Sequence, residues 1–535
     1  MQKYINLNAQ YGFSQDVKYQ YNSVEQIMQN MDRLGIWQTV IEFPGVANTL
    51  ARAERLLKDI QRIPNWKERI IPSFVTDTAM LFETGALEKF KNILRENRPS
   101  CITLRPKGSF RLRMADMVLD EVEDLCSVVL IDYQQLDGAI ASDDLVYLAN
   151  RYPQMRFVVR HVMWGGYNTM IDVMHRTKNI CMDNSWLHTR AALEMFTQRF
   201  GVERILFSTD CPADGGAAMA AITFADLSDE AKDNIRFGNF VNMFRDEQDR
   251  KTLIENSKVI PNQVANRFWT PFVEQGIAPD VDIYDIHCHM GTTGGGWNLM
   301  DACMENQVKA FERDIDKLGL KMVVTSVSGR PDLIQANLDM KEAAGGREKF
   351  KGYLRFNPNF AEDFTDEYLD ACFATGYFVG LKTLPSYMKT DIRSSKYDRM
   401  FAYADKHGLP VLIHCWKDKA GYGSPLSCAE AATKWPNAKV VLGHSGGNTA
   451  GRLDCEKIAQ DPRYNNVYFE FCGSFCSDRL WEESLKYTDH KRVLYGTDAC
   501  LHSMFYEMGK LLSSGIPEDQ LADILGANAK ALYGF

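Results

Sequence analysis

The chain has 535 residues, of which 45% are hydrophobic and 24% charged. This composition is typical of globular proteins and excludes disordered or collagen-like chains. The net charge of -9 argues against a dedicated nucleic-acid binder, because phosphates would be repelled. No apolar run approaches the ~20 residues of a membrane-spanning helix, so we expect no membrane partner.

A secretory signal has basic residues followed by an apolar segment. The first ten residues do not show this pattern. There are 13 cysteines, an odd number without a repeated spacing. This pattern favours reduced thiols over a disulfide framework. Cys472 and Cys476 form the closest pair, and no second pair completes a zinc knuckle. We therefore expect a cytoplasmic protein.

Short apolar segments recur in both halves of the chain in the same order, which indicates a tandem duplication. The matches begin with Asn6 and Asn8 in the first half, placed opposite His287 and His289 in the second. They continue with three further pairs of segment ends: Asp132 and His414, His161 and His444, and Asp210 and Asp498.

Each half alternates short β-rich runs with amphipathic stretches. Runs such as Met322–Val327, 352–356 and 377–381 alternate with helical stretches such as 303–318 and 395–406. This alternation predicts a parallel sheet, and about 250 residues per half fit a (β/α)8 TIM-like barrel. We predict an α/β protein of two tandem barrels. An open doubly wound sheet is the alternative, but no Gly-x-Gly-x-x-Gly turn follows a first strand.

The barrels are expected at residues 1–270 and 281–535, and the candidate site lies in the second. Seven of the ten histidines follow residue 270. His287 and His289 stand two apart on the first strand and should point the same way. The later strands should end near His414, His444 and Asp498. The carboxyl ends of barrel strands gather on one face, so these side chains predict a divalent-metal site.

The second half resembles a known family through several short motifs. They are Asp-Ile-His-Cys-His at 285–289, Gly-Leu-Lys-Thr-Leu-Pro at 380–385, Pro-Val-Leu-Ile-His at 410–414, Leu-Gly-His-Ser-Gly-Gly at 442–447, Leu-Tyr-Gly-Thr-Asp at 494–498 and the closing segment 524–533. Together they resemble the amidohydrolase-related family of the metal-dependent amidohydrolase superfamily, which includes aminocarboxymuconate-semialdehyde-decarboxylase-like enzymes. The resemblance covers 281–535 and implies a distorted eightfold barrel.

The resemblance also implies roles for the site residues. His287, His289, His414 and Asp498 would bind the metal. His444 would be an unligated catalytic residue or a ligand of a second metal. The expected cofactor is one divalent ion, with zinc first and manganese, iron or cobalt as alternatives. A second ion is expected only if Lys382 is carboxylated and bridges the two; otherwise Lys382 could bind a substrate carboxylate.

The leading functional hypothesis is a metal-dependent hydrolase of a small substrate that could carry a carboxylate. Asp498 would take a proton from the activated water and pass it on, while His444 would polarise the substrate carbonyl. Arg330 and Arg355 could bind the carboxylate. The alternatives are a metal-dependent non-oxidative decarboxylase with the same ligands and a non-catalytic binding or scaffold protein.

The first half lacks the corresponding imidazoles, and Lys382 is matched only roughly by Arg105. Amides are poor zinc ligands, so we expect a degenerate barrel without metal. Family members often pair, and the first barrel could stand in for a second subunit as an intramolecular pseudo-dimer, with further association open. Three histidines have no place in the set: His407 and His490 are expected on the surface, and His502 is undecided.

Overall fold

The computed structural model divides into two units, Met1–Val264 and Ala265–Phe535. It describes residues 2–12, 21–45, 48–107, 109–136, 138–209, 215–291, 303–328, 332–473 and 478–535. Three residues named above, Arg330, Asp210 and Cys476, lie outside these ranges. No helix in the described ranges is long and apolar enough to cross a membrane.

The first unit contains one sheet of eight parallel strands in chain order. The strands are β1 (Ile5–Gln10), β2 (Gln38–Glu42), β3 (Ile70–Thr76), β4 (Cys101–Leu104), β5 (Val128–Asp132), β6 (Arg156–Arg160), β7 (Ile180–Asp183) and β8 (Ile205–Leu206). The helices are Val24–Leu34, Thr49–Ile60, Trp66–Arg69, Ala86–Glu96, Asp116–Val122, Gly138–Arg151, Tyr167–Arg176, Ala192–Phe200, Ala217–Phe224, Asp229–Asp233, Asn239–Asn242 and Glu247–Asn256. The N–H of Leu7 donates to the carbonyl of Phe207 at 3.1 Å and joins the last strand to the first.

The second unit repeats this order. Its strands are β9 (Tyr284–Met290), β10 (Met322–Val327), β11 (Phe350–Arg355), β12 (Phe378–Thr383), β13 (Pro410–Trp416), β14 (Lys439–Gly446), β15 (Val467–Glu470) and β16 (Val493–Leu494). The helices are Trp269–Gln275, Met304–Leu318, Leu333–Ala344, Asp366–Phe373, Pro385–Met388, Asp398–His407, Pro425–Ala432, Thr449–Gln460, Asp478–Leu485, Met504–Leu512, Glu518–Ala522 and Asn528–Tyr533. The second barrel is closed by a hydrogen bond from the N–H of Ile286 to the carbonyl of Tyr495, at 3.1 Å.

The prediction of two tandem (β/α)8 barrels is therefore confirmed. The periodic segments form the expected elements. The run Met322–Val327 is a strand with the same first and last residues, and the stretch at 303–318 forms the helix Met304–Leu318. That helix is followed by the capping residue Gly319, whose φ of 64° lies in the left-handed region that glycine adopts without strain.

The apolar core of each barrel lies toward the amino ends of the strands. In the second unit Tyr284, Ile286 and Leu412 pack with Leu532 of the last helix. Filling this end with apolar side chains leaves the polar residues of the strands at the carboxyl ends. Active sites of such barrels lie on that face.

The first strand of each barrel has a β-bulge. One extra residue stands between Asp285 and Cys288 relative to β10, and another between Asn6 and Ala9 relative to β2. Strict alternation would send neighbouring residues to opposite faces, whereas a bulge re-aims the chain. Ile286 can therefore join the core while the next residue, His287, reaches the site.

Candidate metal centre

Three of the predicted ligands meet at the carboxyl ends of β9 and β16. Oδ1 of Asp498 lies 2.9 Å from Nε2 of His289 and 3.7 Å from Nε2 of His287. All three side chains are buried. The N–H of Asp498 donates to the carbonyl of His287 at 2.7 Å, so barrel closure itself holds the carboxylate beside the imidazoles.

These positions fit a bound cation. Donor atoms at about 2.0–2.2 Å from one metal lie about 3.0–3.5 Å from each other, close to the spacing found here. The contact between His289 and Asp498 does not have hydrogen-bond geometry, and Oδ1 of Asp498 has no hydrogen-bond partner among the described residues. A buried carboxylate oxygen without a donor is costly unless a cation compensates it.

The protonation states also suit a metal. Burial, with the charge of Lys382 nearby, lowers the pKa of His289 to about 4. Burial and the same lysine hold the pKa of His287 well below its usual value. Burial opposes ionisation of Asp498, but its contact with His289 and the other imidazoles hold its pKa well below the usual range. Neutral imidazoles and an ionised carboxylate are the ligating forms.

His414 lies at the edge of this cluster. Its ring centroid is 4.7 Å from that of His444, and the ring stacks on Trp416 at 6.0 Å. The side chain is partly exposed, unlike His287 and His289. The structure thus brings His414 into the neighbourhood of the cluster, on its open side.

His444 has a defined tautomer. Its Nδ1 lies 3.0 Å from the carbonyl oxygen of Cys472, which only accepts, so the hydrogen is on Nδ1. Burial lowers the pKa of His444. The neutral ring therefore leaves Nε2 as an acceptor.

Two buried cations stand next to the cluster. Nζ of Lys382 contacts Nε2 of His287, and burial lowers the pKa of this lysine to about 8. Arg355 donates to the carbonyl of Val327 at 2.7 Å, while its Nε has no partner among the described residues. Burial lowers the pKa of Arg355 to about 10. Both groups are suited to a substrate anion.

Sequence reasoning missed Glu470, at the end of β15, and left His502 undecided. Glu470 is fully buried, with Oε2 2.7 Å from Nδ1 of His287. The only sequence signal was an acidic residue ending an apolar strand. Nε2 of His502 lies 3.7 Å from Oδ2 of Asp498, and its Nδ1 lies 3.4 Å from Oε1 of Glu507. His502 therefore stands directly behind the candidate ligand.

The first unit shows which of its residues occupy the same places. The side chain of Asn6 accepts from the N–H of Thr209 at 2.9 Å, and Asp285 accepts from the N–H of Thr497 at 3.1 Å. The two β-bulges begin at the same two residues. Both observations place Asn6 opposite Asp285.

This corrects the expected register by two residues. Asn8 corresponds to His287 and Gln10 to His289, rather than Asn6 and Asn8. Repetition of Asn-x-Asn and His-x-His made the other alignment attractive, because sequence spacing does not reveal which residues a bulge aligns.

The expected counterpart of Lys382 in the first barrel also has to be corrected. It is paired with Leu412 on β13, and Thr103 is paired with Leu130, the matching residue of β5. Thr103 therefore corresponds to Lys382, and the expected match with Arg105 is wrong by two residues. On the sixth strands His161 and His444 do correspond, with φ of 58° and 65°.

The centre of the first site is occupied by a guanidinium. Arg160, which is fully buried, donates to Asp132 at 2.8 Å and to Asn8 at 2.9 Å. It also donates to Glu42 at 3.2 Å, and Arg105 contacts the same carboxylate. Burial alone would raise the pKa of Asp132, but Arg160 and its neighbours lower it to about 2.

The residue that corresponds to Arg160 is Gly443. Arg160 on β6 is paired with Asp132 on β5, and Gly443 on β14 is paired with His414 on β13. Both pairs join the fifth and sixth strands of their barrel. A Cβ at position 443 would lie 3.1 Å from Cε1 of His287. The second site therefore keeps its centre clear by having no side chain where the first has an arginine.

A model of the amidohydrolase family matches residues 138–245 and 284–535, more than half of the chain. The chain belongs to the amidohydrolase family. The family match covers the end of the first barrel and nearly all of the second. Among curated proteins, none matches this chain in sequence.

Solved structures resemble about half of this chain. Three of them are the 5-carboxyvanillate decarboxylase of Sphingomonas paucimobilis (15% identity, TM-score 0.37, 48% of this chain, 99% of that chain), the 2,6-dihydroxybenzoate decarboxylase of Rhizobium (13%, 0.38, 48%, 99%) and a dihydroxybenzoic acid decarboxylase of Polaromonas with bound manganese (15%, 0.38, 48%, 97%).

We predict that Arg160→Met destabilises the first barrel by about 3–5 kcal/mol, because it leaves buried carboxylates without their main counter-charge. Hydrogen exchange of peptides from β5 and β6 measures this loss locally. Arg156→Met, at the half-buried start of β6, is the matched control and should change exchange little. Equal exchange in the two variants would contradict the role of Arg160.

We predict that replacing His287 by Asn and His289 by Gln, which copies the first barrel in the corrected register, abolishes metal binding. Neutral amide oxygens are far weaker ligands than imidazoles for zinc. Elemental analysis after reloading measures metal per chain. The control removes two exposed histidines, His175 and His407, and should keep its metal. Zinc retained by the first variant would rule out the ligand assignment.

Proposed function

We propose that this amidohydrolase is a metal-dependent hydrolase of a small, carboxylate-bearing molecule, and that the second barrel carries the activity. The observation behind the proposal is the cluster of His287, His289 and Asp498, with a buried carboxylate oxygen directed at the imidazoles. Two buried cations, Lys382 and Arg355, stand beside it.

One divalent ion would be held by His287, His289, His414 and Asp498. We propose zinc, because three imidazoles and one carboxylate suit it, with manganese, iron or cobalt as alternatives. Such an ion acts as a Lewis acid and lowers the pKa of a water ligand from about 16 to near 7. The first barrel would hold no metal, since Arg160 occupies the centre of its site.

Asp498 is the proposed proton acceptor. Its pKa lies well below the usual range, so the carboxylate is ionised at neutral pH and can take a proton from the attacking water. Oδ2 lies 3.7 Å from Nε2 of His502. Asp498 would pass the proton to the leaving group, which leaves the carboxylate ready for another cycle.

For His444 we propose a different role from the one expected from the sequence. Stabilising an oxyanion needs a hydrogen-bond donor, but the hydrogen on Nδ1 is directed at the carbonyl of Cys472. Nε2 of the neutral ring can only accept. His444 would therefore orient the water or a substrate N–H by accepting its hydrogen.

Lys382 and Arg355 would bind the substrate carboxylate. Arg355 has a free Nε in the described part of the chain, and Lys382 has a pKa of about 8, so much of it is charged at pH 7. The neutral fraction of this lysine is the form that reacts with carbon dioxide. Carboxylation would turn Lys382 into a bridge for a second ion, and we propose the single-ion site with a free amine instead.

The same residues would also serve a non-oxidative decarboxylase, because cations that hold a carboxylate can hold the one that leaves. The reactions differ in their products. Assays of N-acyl amino acids and aromatic carboxylates in ¹⁸O-labelled water test both outcomes at once. A hydrolase places one solvent oxygen in the acid product and releases no carbon dioxide. Release of carbon dioxide with no solvent oxygen in the organic product would identify the decarboxylase.

A scaffold without catalysis is the remaining alternative. It would be supported by a purified chain that neither contains metal nor binds zinc or manganese on addition.

As the setting of the reaction we propose the cytoplasm, because no disulfide bond links the cysteines of the described segments. We also propose the first barrel as an intramolecular stand-in for a second subunit.

We predict that Asp498→Asn lowers kcat at least 100-fold on any substrate found, since general-base catalysis contributes about 10²–10⁴-fold. The amide cannot accept the proton of the water. Metal content and thermal unfolding check that the variant remains loaded and folded. His490→Asn, which alters a partly buried histidine that precedes the amino end of β16 and pairs with Asp523 rather than with the cluster, is the control. Near-normal turnover of a loaded Asp498→Asn variant would contradict the proposed role.

A further inference from the structure

Glu470 contacts two histidines at the centre of the second barrel, His287 and His444. Its Oε2 lies 2.7 Å from Nδ1 of His287 and accepts the N–H of His444 at 3.2 Å. Its Oε1 accepts the N–H of Cys472. The side chain is fully buried. A single carboxylate therefore contacts the ring of one histidine and the backbone of another.

The neighbours of His287 determine which of its nitrogens carries the hydrogen. Nζ of Lys382 contacts Nε2 of His287. The ammonium group of a charged lysine donates hydrogen bonds but cannot accept them. Nε2 of His287 must then be the acceptor, and the hydrogen is on Nδ1. That hydrogen is donated to Glu470. The nitrogen proposed to bind metal is thus the one that carries a lone pair instead of a hydrogen.

The first barrel separates two roles that Glu470 could have. Asp183 occupies the corresponding place at the end of β7, and its Oδ1 accepts the N–H of His161 at 3.1 Å. An aspartate is therefore long enough to hold the turn after the sixth strand. In that barrel Asn8 stands where the second has His287. The longer side chain of Glu470 brings its carboxylate within 2.7 Å of the imidazole of His287.

We propose that Glu470 is a positioning residue that fixes His287 in the tautomer with hydrogen on Nδ1 and presents Nε2 to the metal. This inference rests on the proposed ligation by His287. A carboxylate behind a ligating histidine orients the ring and makes it a stronger donor, and its loss weakens metal affinity by about 10–100-fold. Glu470 also fixes the backbone of His444, which couples the position of the acceptor to that of the ligand.

The decisive variant is Glu470→Asp in the full chain. It should keep the turn at His444, as Asp183 does for His161, but withdraw the carboxylate from His287. After removal of metal with a chelator, zinc and manganese affinities are measured by competition with a chromophoric chelator. We expect both affinities to fall about 10–100-fold. The melting temperature of the metal-free chain should stay close to that of wild type.

Two further variants complete the test. Glu470→Gln keeps the length but has a single acceptor oxygen for three donors, so it should also lose affinity, with some loss of stability. Asp183→Asn makes the matched change in the first barrel. It should alter thermal unfolding without altering metal affinity, because no ligating imidazole stands in front of it.

The outcomes separate this inference from the function it rests on. Glu470→Asp affinities within about twofold of wild type would overturn the positioning role and leave Glu470 as a turn-holding residue. A wild-type chain that binds neither zinc nor manganese would instead overturn the metal centre, and the inference with it. Weaker binding in Asp183→Asn, equal to that in Glu470→Asp, would show a general loss of stability and also contradict the inference.

Discussion

Compensation of buried negative charge is the constraint on which both sites depend. Each barrel gathers carboxylates at the carboxyl ends of its strands, with almost no exposure to water, among them Glu42 and Asp132 in the first and Glu470 and Asp498 in the second. A buried carboxylate is tolerable only with a cation or several donors close by. The first barrel supplies a guanidinium from its own chain. The second supplies Lys382, together with a set of neutral imidazoles that suit a metal ion.

The backbone that carries these groups is shared by the two barrels. Both have an extra residue in the first strand and a left-handed residue at the carboxyl end of the sixth, at His161 and His444. In each case a carboxylate from the next strand accepts the N–H of that histidine. The scaffold around the site is thus common to both, and the difference in chemistry comes from side chains set on it.

Much of this arrangement could be predicted from the sequence. Alternating strand and helix patterns, repeated at similar spacing, were sufficient to predict two barrels, because period and length are local properties. The gathering of His287, His289 and Asp498 followed from the rule that strand ends share a face. The register of the first strands did not follow, since a bulge leaves no mark in a run such as Asn-Leu-Asn. Glu470 and Arg160 were missed for a related reason. Each looks like an ordinary strand-end charge until its partners on other strands are known.

The exchange of Gly443 for Arg160 makes the two barrels respond differently to their surroundings. A guanidinium attached to the chain is present at every folding event, whatever the solution contains. A metal taken from solution adds stability that grows with the logarithm of its free concentration, by RT ln(1 + [L]/Kd). With the second barrel loaded as proposed, depletion of metal would loosen that barrel alone. If the second barrel binds metal as proposed, the absence of one side chain links the stability of that barrel to metal supply, while the first barrel remains independent of it.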